Sequence, residues 1–140
     1  MLEQNKALMD RFYEEVVNQA KYDLIDELVD KNFVDHQAIP GQGPGGDGLK
    51  WHFGMFRAAF PDVRVEIEDM IAEGDKVVTR FTIYGTQRGK FHGVPPTNRQ
   101  VVFTETTIAR VVEGKITDLW SDVDSLGMLG QLGVFELPGE

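Results

Sequence analysis

The run Gly114-Lys115-Ile116-Thr117-Asp118-Leu119-Trp120-Ser121-Asp122-Val123-Asp124 sets three carboxylates at alternate positions around a tryptophan. Side chains alternate across a strand, so Ile116, Asp118, Trp120, Asp122 and Asp124 are expected to share one face. Burying a carboxylate without partners is costly, and such a group responds by raising its pKa and holding its proton. That is the state from which a carboxyl trades protons near neutral pH. The strand therefore points to a pocket with an acid in it. Asp124-Ser125 also precedes a short helical stretch, Leu126–Gly133, and aspartate is a favoured N-cap, so capping is the competing reading of Asp124. Asp118 and Asp122 are expected at a rim or on the surface.

The elements that must position this strand read as helices first and sheet second. Leu8, Phe12 and Val16 recur every fourth residue between about Glu3 and Ala20, which predicts an amphipathic helix. Tyr22 to Val29 reads as a shorter helix, followed by the segment Asn32–His36. Pro40-Gly41-Gln42-Gly43-Pro44-Gly45-Gly46 is a loop. Asp47 is placed to cap a third helix carrying Leu49, Phe53, Phe56 and Phe60 on one side, ended by Pro61. Strands are expected from Val63, from Val77 to Tyr84, from about Arg99 to Val112, and through Trp120. Glu73–Lys76 and Glu113-Gly114 are the hairpin turns between them. Grouped helices followed by an antiparallel meander predict an α+β fold with helices on one face of a curved sheet, built as a single domain over residues 1–140.

Composition bounds the function. The 140 residues are 41% hydrophobic and 26% charged, with 14 basic against 23 acidic residues and a net charge of −9. That balance argues against nucleic acid or an anionic membrane as partner, since both need a basic footprint. The chain contains no cysteine, which removes disulfides, thiolate nucleophiles and cysteine metal sites. Its three histidines lack HxH or HExxH spacing, so no metal site is expected. Met1–Lys6 has no apolar signal core and no apolar run reaches membrane-spanning length, so a cytoplasmic location is expected.

Several runs stand in a telling order: Phe33-Val34-Asp35-His36, Ala59-Phe60-Pro61-Asp62, Gly74-Asp75-Lys76-Val77-Val78-Thr79-Arg80, Gly85-Thr86 to Gly89-Lys90-Phe91-His92-Gly93-Val94-Pro95-Pro96-Thr97, Gly114-Lys115-Ile116 with Trp120 and Asp124, and Gln131-Leu132-Gly133. Together, from about Leu8 to Val134, they resemble the SnoaL-like polyketide cyclases (ester cyclases). The resemblance implies the cone-shaped α+β barrel shared with ketosteroid isomerase, scytalone dehydratase and the nuclear transport factor 2-like proteins, whose hollow holds a small apolar ligand. It implies intramolecular aldol ring closure of a polyketide-like carbonyl compound by acid/base catalysis, without metal or organic cofactor. Other cone-fold lyase or isomerase chemistry, and a non-catalytic binder of an apolar molecule, stay open as alternatives. An epoxide hydrolase of the same cone would need an Arg-x-Asp pair, which neither Arg80-Phe81-Thr82 nor Arg110-Val111-Val112 supplies.

The resemblance also implies roles. Asp124 matches the family's acid/base aspartate, and His36 is expected at the cavity mouth, orienting a carbonyl or sharing a proton. Bonding to its own loop is the alternative for His36. His92 lies in the loop that lids the cone. The set expected to touch substrate is Phe12, Phe33, Trp51, Phe56, Phe60, Gln87, Phe91, His92, Trp120 and Asp122, although helical spacing also suits core packing for several of the aromatics. His52, on the third helix, is expected to be exposed or to face a dimer partner. Where many relatives read Thr-His-x-Gly, this chain reads Thr86-Gln87-Arg88-Gly89; glutamine can hydrogen-bond a carbonyl but cannot titrate. A homodimer or higher homo-oligomer is expected, with Thr117, Ser121, Arg64 and Glu66 giving the sheet a fairly polar outer surface.

Overall fold

The computed structural model describes residues 1–136. Helix α1 (Leu2–Arg11) runs directly into a π-helical stretch, Phe12–Asn18. The four-residue apolar spacing holds through both, so Met9, Phe12, Tyr13 and Val16 are all buried. A 3₁₀ turn (Tyr22–Leu24) and a single α turn, α2 (Ile25–Leu28), replace the longer second helix. The segment after it is strand β1, Val29–Asp35. Helix α3 spans Gly45–Ala59, with Pro44 as its N-cap and Asp47 inside the first turn rather than capping. Strands β2 (Arg64–Glu73), β3 (Lys76–Thr86), β4 (Gln100–Val112) and β5 (Lys115–Val123) follow, and helix α4 (Ser125–Gln131) closes the chain.

The five strands form one sheet in the order β1-β5-β4-β3-β2. Strands β2 to β5 are an antiparallel meander, as expected, but β1 pairs parallel with β5, so the sheet is mixed. Its two ends do not pair with each other, and the barrel stays open. At the hairpin between β4 and β5, Glu113 and Gly114 both take positive φ (50° and 75°), the backbone that a tight two-residue turn requires. Gln131 substitutes for a missing strand: its side chain accepts from the Val102 amide (2.7 Å) and donates to the Val102 carbonyl (2.8 Å).

One face of the sheet packs on the helices. Val77, Thr79, Phe81 and Ile83 of β3 and Val101, Phe103, Thr107 and Ala109 of β4 are buried there with Met9, Phe12, Tyr13, Leu49 and Phe60. Asp62 locks the corner after α3, accepting from the Thr86 amide (2.7 Å) and hydroxyl (2.8 Å). Burial opposes ionisation of Asp62, yet those hydrogen bonds outweigh it and hold its carboxyl below the usual range.

The last strand departs from simple alternation. Val111 pairs with Ile116, whereas Arg110 pairs with Asp118, so Thr117 is an extra residue. A bulge of this kind shifts the parity of every later side chain. Ile116 and Leu119 both point inward and are buried, and Ser121 lies opposite buried Thr107. Asp118, Trp120 and Asp122 therefore sit on the outer face, correcting the expectation that they share a face with Ile116.

Helix α3 leans closely on the loop before it. A Cβ added at Gly48 would lie 1.7 Å from the Gly43 carbonyl oxygen, whereas one at Gly54 would meet nothing within 4 Å. Alanine is the better helix former by about 1 kcal/mol. Gly54→Ala is expected to stabilise the protein by about 0.5–1 kcal/mol and Gly48→Ala to destabilise it, measured as opposite shifts of the urea midpoint at constant slope.

Candidate active site

A carboxylate does enter the interior, but from β4. Phe103, Glu105, Thr107 and Ala109 face the helices in succession, and Glu105 is the single charge in that row. Burial pushes its carboxyl up to about 7. The negative charge of Asp35, at the end of β1, pushes the same way, while the Ser121 hydroxyl on β5 partly relieves the ionised form.

Helix α3 sets aromatic rings near the neighbours of this carboxyl on the inner face. Phe56 lies 6.4 Å from the ring of Phe103, and Phe53 lies 5.8 Å from that of Phe12. Below them the Tyr13 hydroxyl is hydrogen-bonded to Thr107 Oγ1, and burial raises the Tyr13 pKa beyond its ordinary range. His52 stands on the same helix, one turn before Phe56. Burial lowers its pKa, nearby Asp35 opposes that, and His92 adds to it. The expectation of an exposed His52 is therefore corrected. Its Nδ1 and the Thr79 hydroxyl are buried without a hydrogen-bond partner among the described residues. An unpaired buried polar atom costs about 1–3 kcal/mol, which a bound ligand group can relieve. Glu105, Asp35, His52, Phe53 and Phe56 each keep some exposed surface, marking where the interior meets solvent.

The family model for the SnoaL-like polyketide cyclases matches residues 7–132. The chain belongs to that family. Nogalonic acid methyl ester cyclase from Streptomyces nogalater is 29% identical over 118 residues, which cover 83% of this chain and 88% of the relative. Among solved structures, a Bacillus cereus protein is 32% identical, with a TM-score of 0.82 over 95% of this chain and 83% of its own. A SnoaL-like polyketide cyclase from Agrobacterium tumefaciens is 25% identical, with a TM-score of 0.72 over 86% and 92% of the two chains. The cone-type α+β architecture of the SnoaL-like proteins is thus the fold of this chain.

Several residues matched to the family on sequence fall outside its interior here. Asp124 is exposed and caps α4: its Oδ1 accepts from the Gly127 amide at 2.9 Å. His36 is turned away from the helices, hydrogen-bonded through Nε2 to Asp118 (2.9 Å) and stacked flat on Trp120 at 4.4 Å. That hydrogen bond is the main reason the Asp118 carboxyl is held below its usual range, with Arg110 helping. Trp120 and Asp122 are on the outer face with them. Two open depressions of about 450 and 430 Å³ lie beside Leu132–Val134 and between α1 and Lys115.

The aromatics divide as well. Phe60 and Phe91 are buried and packed against Phe56 at 4.7 and 5.5 Å, and Phe12 and Phe33 are buried in the core. Trp51 is 43% exposed and touches Gly41 instead of the interior. His92 is exposed but close enough to His52 to affect it. Gln87 is fully buried with no capacity left for a ligand. Its amide nitrogen donates to the carbonyls of Gly89 and Val94 (both 3.1 Å), and its oxygen accepts from the Thr97 amide (3.2 Å) and hydroxyl (2.7 Å).

The residues that sequence reasoning passed over did carry a signal. Glu105 interrupts the alternation Val101-Phe103-Thr107-Ala109-Val111, and His52 falls three residues after Leu49 and four before Phe56 on the apolar side of α3. Each is a polar residue at a core position of its element.

Two outcomes follow from this geometry. Gln87→Ala strands two carbonyls and an amide, so a stability loss of about 2–4 kcal/mol is expected from chemical denaturation, with faster amide exchange across residues 88–98. For Glu105, the folded protein keeps its proton to about pH 7 while an unfolded glutamate loses it near 4.5. The favourable contribution is complete below 4.5 and is lost as pH rises through 7, at about 1.4 kcal/mol per pH unit and about 3 kcal/mol in all. Glu105→Gln is expected to flatten stability across that window and to be the more stable protein at pH 8, read from urea midpoints against pH.

Proposed function

We propose that the protein is a cofactor-free acid/base catalyst of polyketide-cyclase type, with Glu105 as its proton-transfer group. The substrate is a small, largely apolar compound with two carbonyls flanking an acidic carbon. Membership of the SnoaL-like polyketide cyclase family supports the class, and nogalonic acid methyl ester cyclase suggests intramolecular ring closure as the reaction. The observation that carries the residue assignment is a buried carboxyl with a pKa of about 7 on the inner face of β4, two residues from Phe103.

The chemistry suits that carboxyl. Ionised Glu105 takes the proton from the carbon between the carbonyls, leaving an enolate. The enolate carbon bonds to a second carbonyl carbon of the same molecule, whose π electrons move to its oxygen. The new alkoxide takes the proton back from Glu105, so the group ends as it began and no electrons are transferred to or from the substrate. A general acid/base works best with its pKa near the operating pH. In this reading the Tyr13 hydroxyl, kept neutral by burial, and His52, whose charged form is disfavoured, hydrogen-bond the carbonyl oxygens without adding net charge. Phe53 and Phe56 supply the apolar wall that limits water, which would otherwise compete for the enolate.

In this reading Asp124 and His36 lie outside the catalytic set. With an activated 1,3-dicarbonyl substrate, Glu105→Gln is expected to lower kcat about 10²–10⁴-fold with little change in fold or ligand affinity. Asp124→Asn and His36→Ala are expected to stay within about threefold of wild type in kcat, because neither touches the interior. A kcat for Glu105→Gln equal to that of wild type, with Asp124→Asn inactive, refutes the assignment. Apolar ligands that raise the melting temperature without turnover on any such substrate identify a binder instead.

A further inference from the structure

We infer that Asp35 is a positioning residue for the reaction: a fixed negative charge at the end of β1, held by the loop before α3, that acts on the substrate only through Glu105. The inference rests on Glu105 as the proton-transfer group. Asp35 faces the interior by its register. Along β1, Phe33 is buried and Val34 is 47% exposed. Val34 pairs with outward-facing Asp118, and Asp35 with inward-facing Leu119. Alternation thus returns Asp35 to the side of Phe33. The His36 amide donates to the Leu119 carbonyl at 2.9 Å and pins the end of the strand.

The carboxylate is committed on both oxygens. Oδ1 accepts from the Gln37 amide (3.0 Å) and Oδ2 from the side-chain amide of Gln42 (2.9 Å). Gln42 is itself held, its Oε1 accepting from the Ile39 amide at 3.2 Å. Gln37 reaches across to β5, where its Oε1 accepts from the Ser121 amide at 2.6 Å. Ser121 is the residue whose hydroxyl steadies ionised Glu105. One loop therefore orients two neighbours of Glu105 with opposite effects: Asp35 opposes its charge and Ser121 supports it. With both oxygens occupied, Asp35 serves as a fixed charge and not as a second proton carrier.

Little competes with that charge. The π-helical stretch presents Tyr13, kept neutral by burial, and α3 presents His52, whose charged form burial disfavours. On the same face β3 contributes Thr79, Phe81 and Ile83, and β5 contributes Leu119 and Ser121, none of them charged. His92, in the loop after β3, acts on His52. Asp35 is the charged side chain that bears on Glu105. A charge that opposes ionisation makes a carboxylate the stronger base, and a base works best with its pKa near the operating pH.

NMR titration of the Glu105 carboxyl carbon and the His52 ring nitrogens, with pH-dependent kinetics beside it, tests this. Asp35→Asn keeps an acceptor toward Gln37 and removes the charge. The Glu105 midpoint is expected to fall by about half a pH unit or more, and that of His52 to fall with it, since both lose a nearby negative charge. Asp122→Asn removes a charge next to Ser121 but on the outer face, and is expected to leave both midpoints in place. With the 1,3-dicarbonyl substrate, Asp35→Asn is expected to move the acid limb of kcat/KM down in pH by the same amount. Its plateau is expected to drop about two- to threefold through kcat, with KM unchanged. In the Glu105→Gln background the same substitution is expected to change the residual rate less than about twofold. Equal shifts in Asp35→Asn and Asp122→Asn, or no shift in Asp35→Asn, overturn the coupling. An Asp35→Asn variant as slow as Glu105→Gln, or a further large loss in the Glu105→Gln background, means that Asp35 meets the substrate itself and overturns the positioning role. The titration needs no substrate, so its outcome is separable from that of the Glu105 assignment.

Discussion

The single residue by which β5 outruns β4 at Thr117 sets the chemistry of both faces of the sheet. Before it, Ile116 packs inward against the core; after it, Leu119 and Ser121 take the inner positions while Asp118, Trp120 and Asp122 turn outward. Without that step the interior would hold an indole and two aspartates in place of a leucine and a serine. The outer face would lose the indole on which His36 stacks. A sheet with one buried face tolerates no parity error, because each slip exchanges the whole core set for the solvent set. The bulge therefore has to be built into this strand, and the helices pack on the face it defines.

With β5 contributing only a hydroxyl, the interior carboxyl comes from β4. Glu105 is embedded between two strands, near enough to Tyr13 and Asp35 for their charges to interact. Two carboxyl groups in one low-dielectric region cannot both ionise cheaply, so one keeps its proton toward neutral pH. Burial shifts His52 toward its neutral form for the same electrostatic reason. The interior thus collects groups whose charged states are disfavoured together, a condition suited to moving one proton on an apolar substrate.

The segment from Gln87 to Asn98 shows how a family position can be reused. The resemblance read in the sequence implies a titratable histidine where this chain has Gln87. Here the amide is consumed by its own loop, tying Gly89, Val94 and Thr97 together. The loop is anchored to α3 as well, since the amides of Arg88 and Gly89 both donate to the Ala59 carbonyl at 2.8 and 3.1 Å. Phe91 is thereby fixed against Phe56 and Phe60, which stiffens the aromatic cover over the interior.

The α+β class, the meander, both hairpin turns and the core face of the third helix were legible in the sequence. Each rests on local periodicity and turn chemistry: Leu49, Phe53, Phe56 and Phe60 at helical spacing, and glycines where positive φ is needed. The family motifs, too, are short stretches of chain. The conversion of Asn32–His36 into a parallel edge strand was not legible, because its partner β5 lies some eighty residues away. The face taken by Asp118, Trp120 and Asp122 was misread for the same reason. Alternation assigns a face only if the strand is regular, and the bulge that breaks β5 exists through its pairing with β4. Asp124 shows the limit most sharply: one aspartate before a short helix satisfies both a cap and an acid on paper. Only the fold shows the cap, by placing the Gly127 amide 2.9 Å from its carboxylate, and the burial of Glu105 on β4.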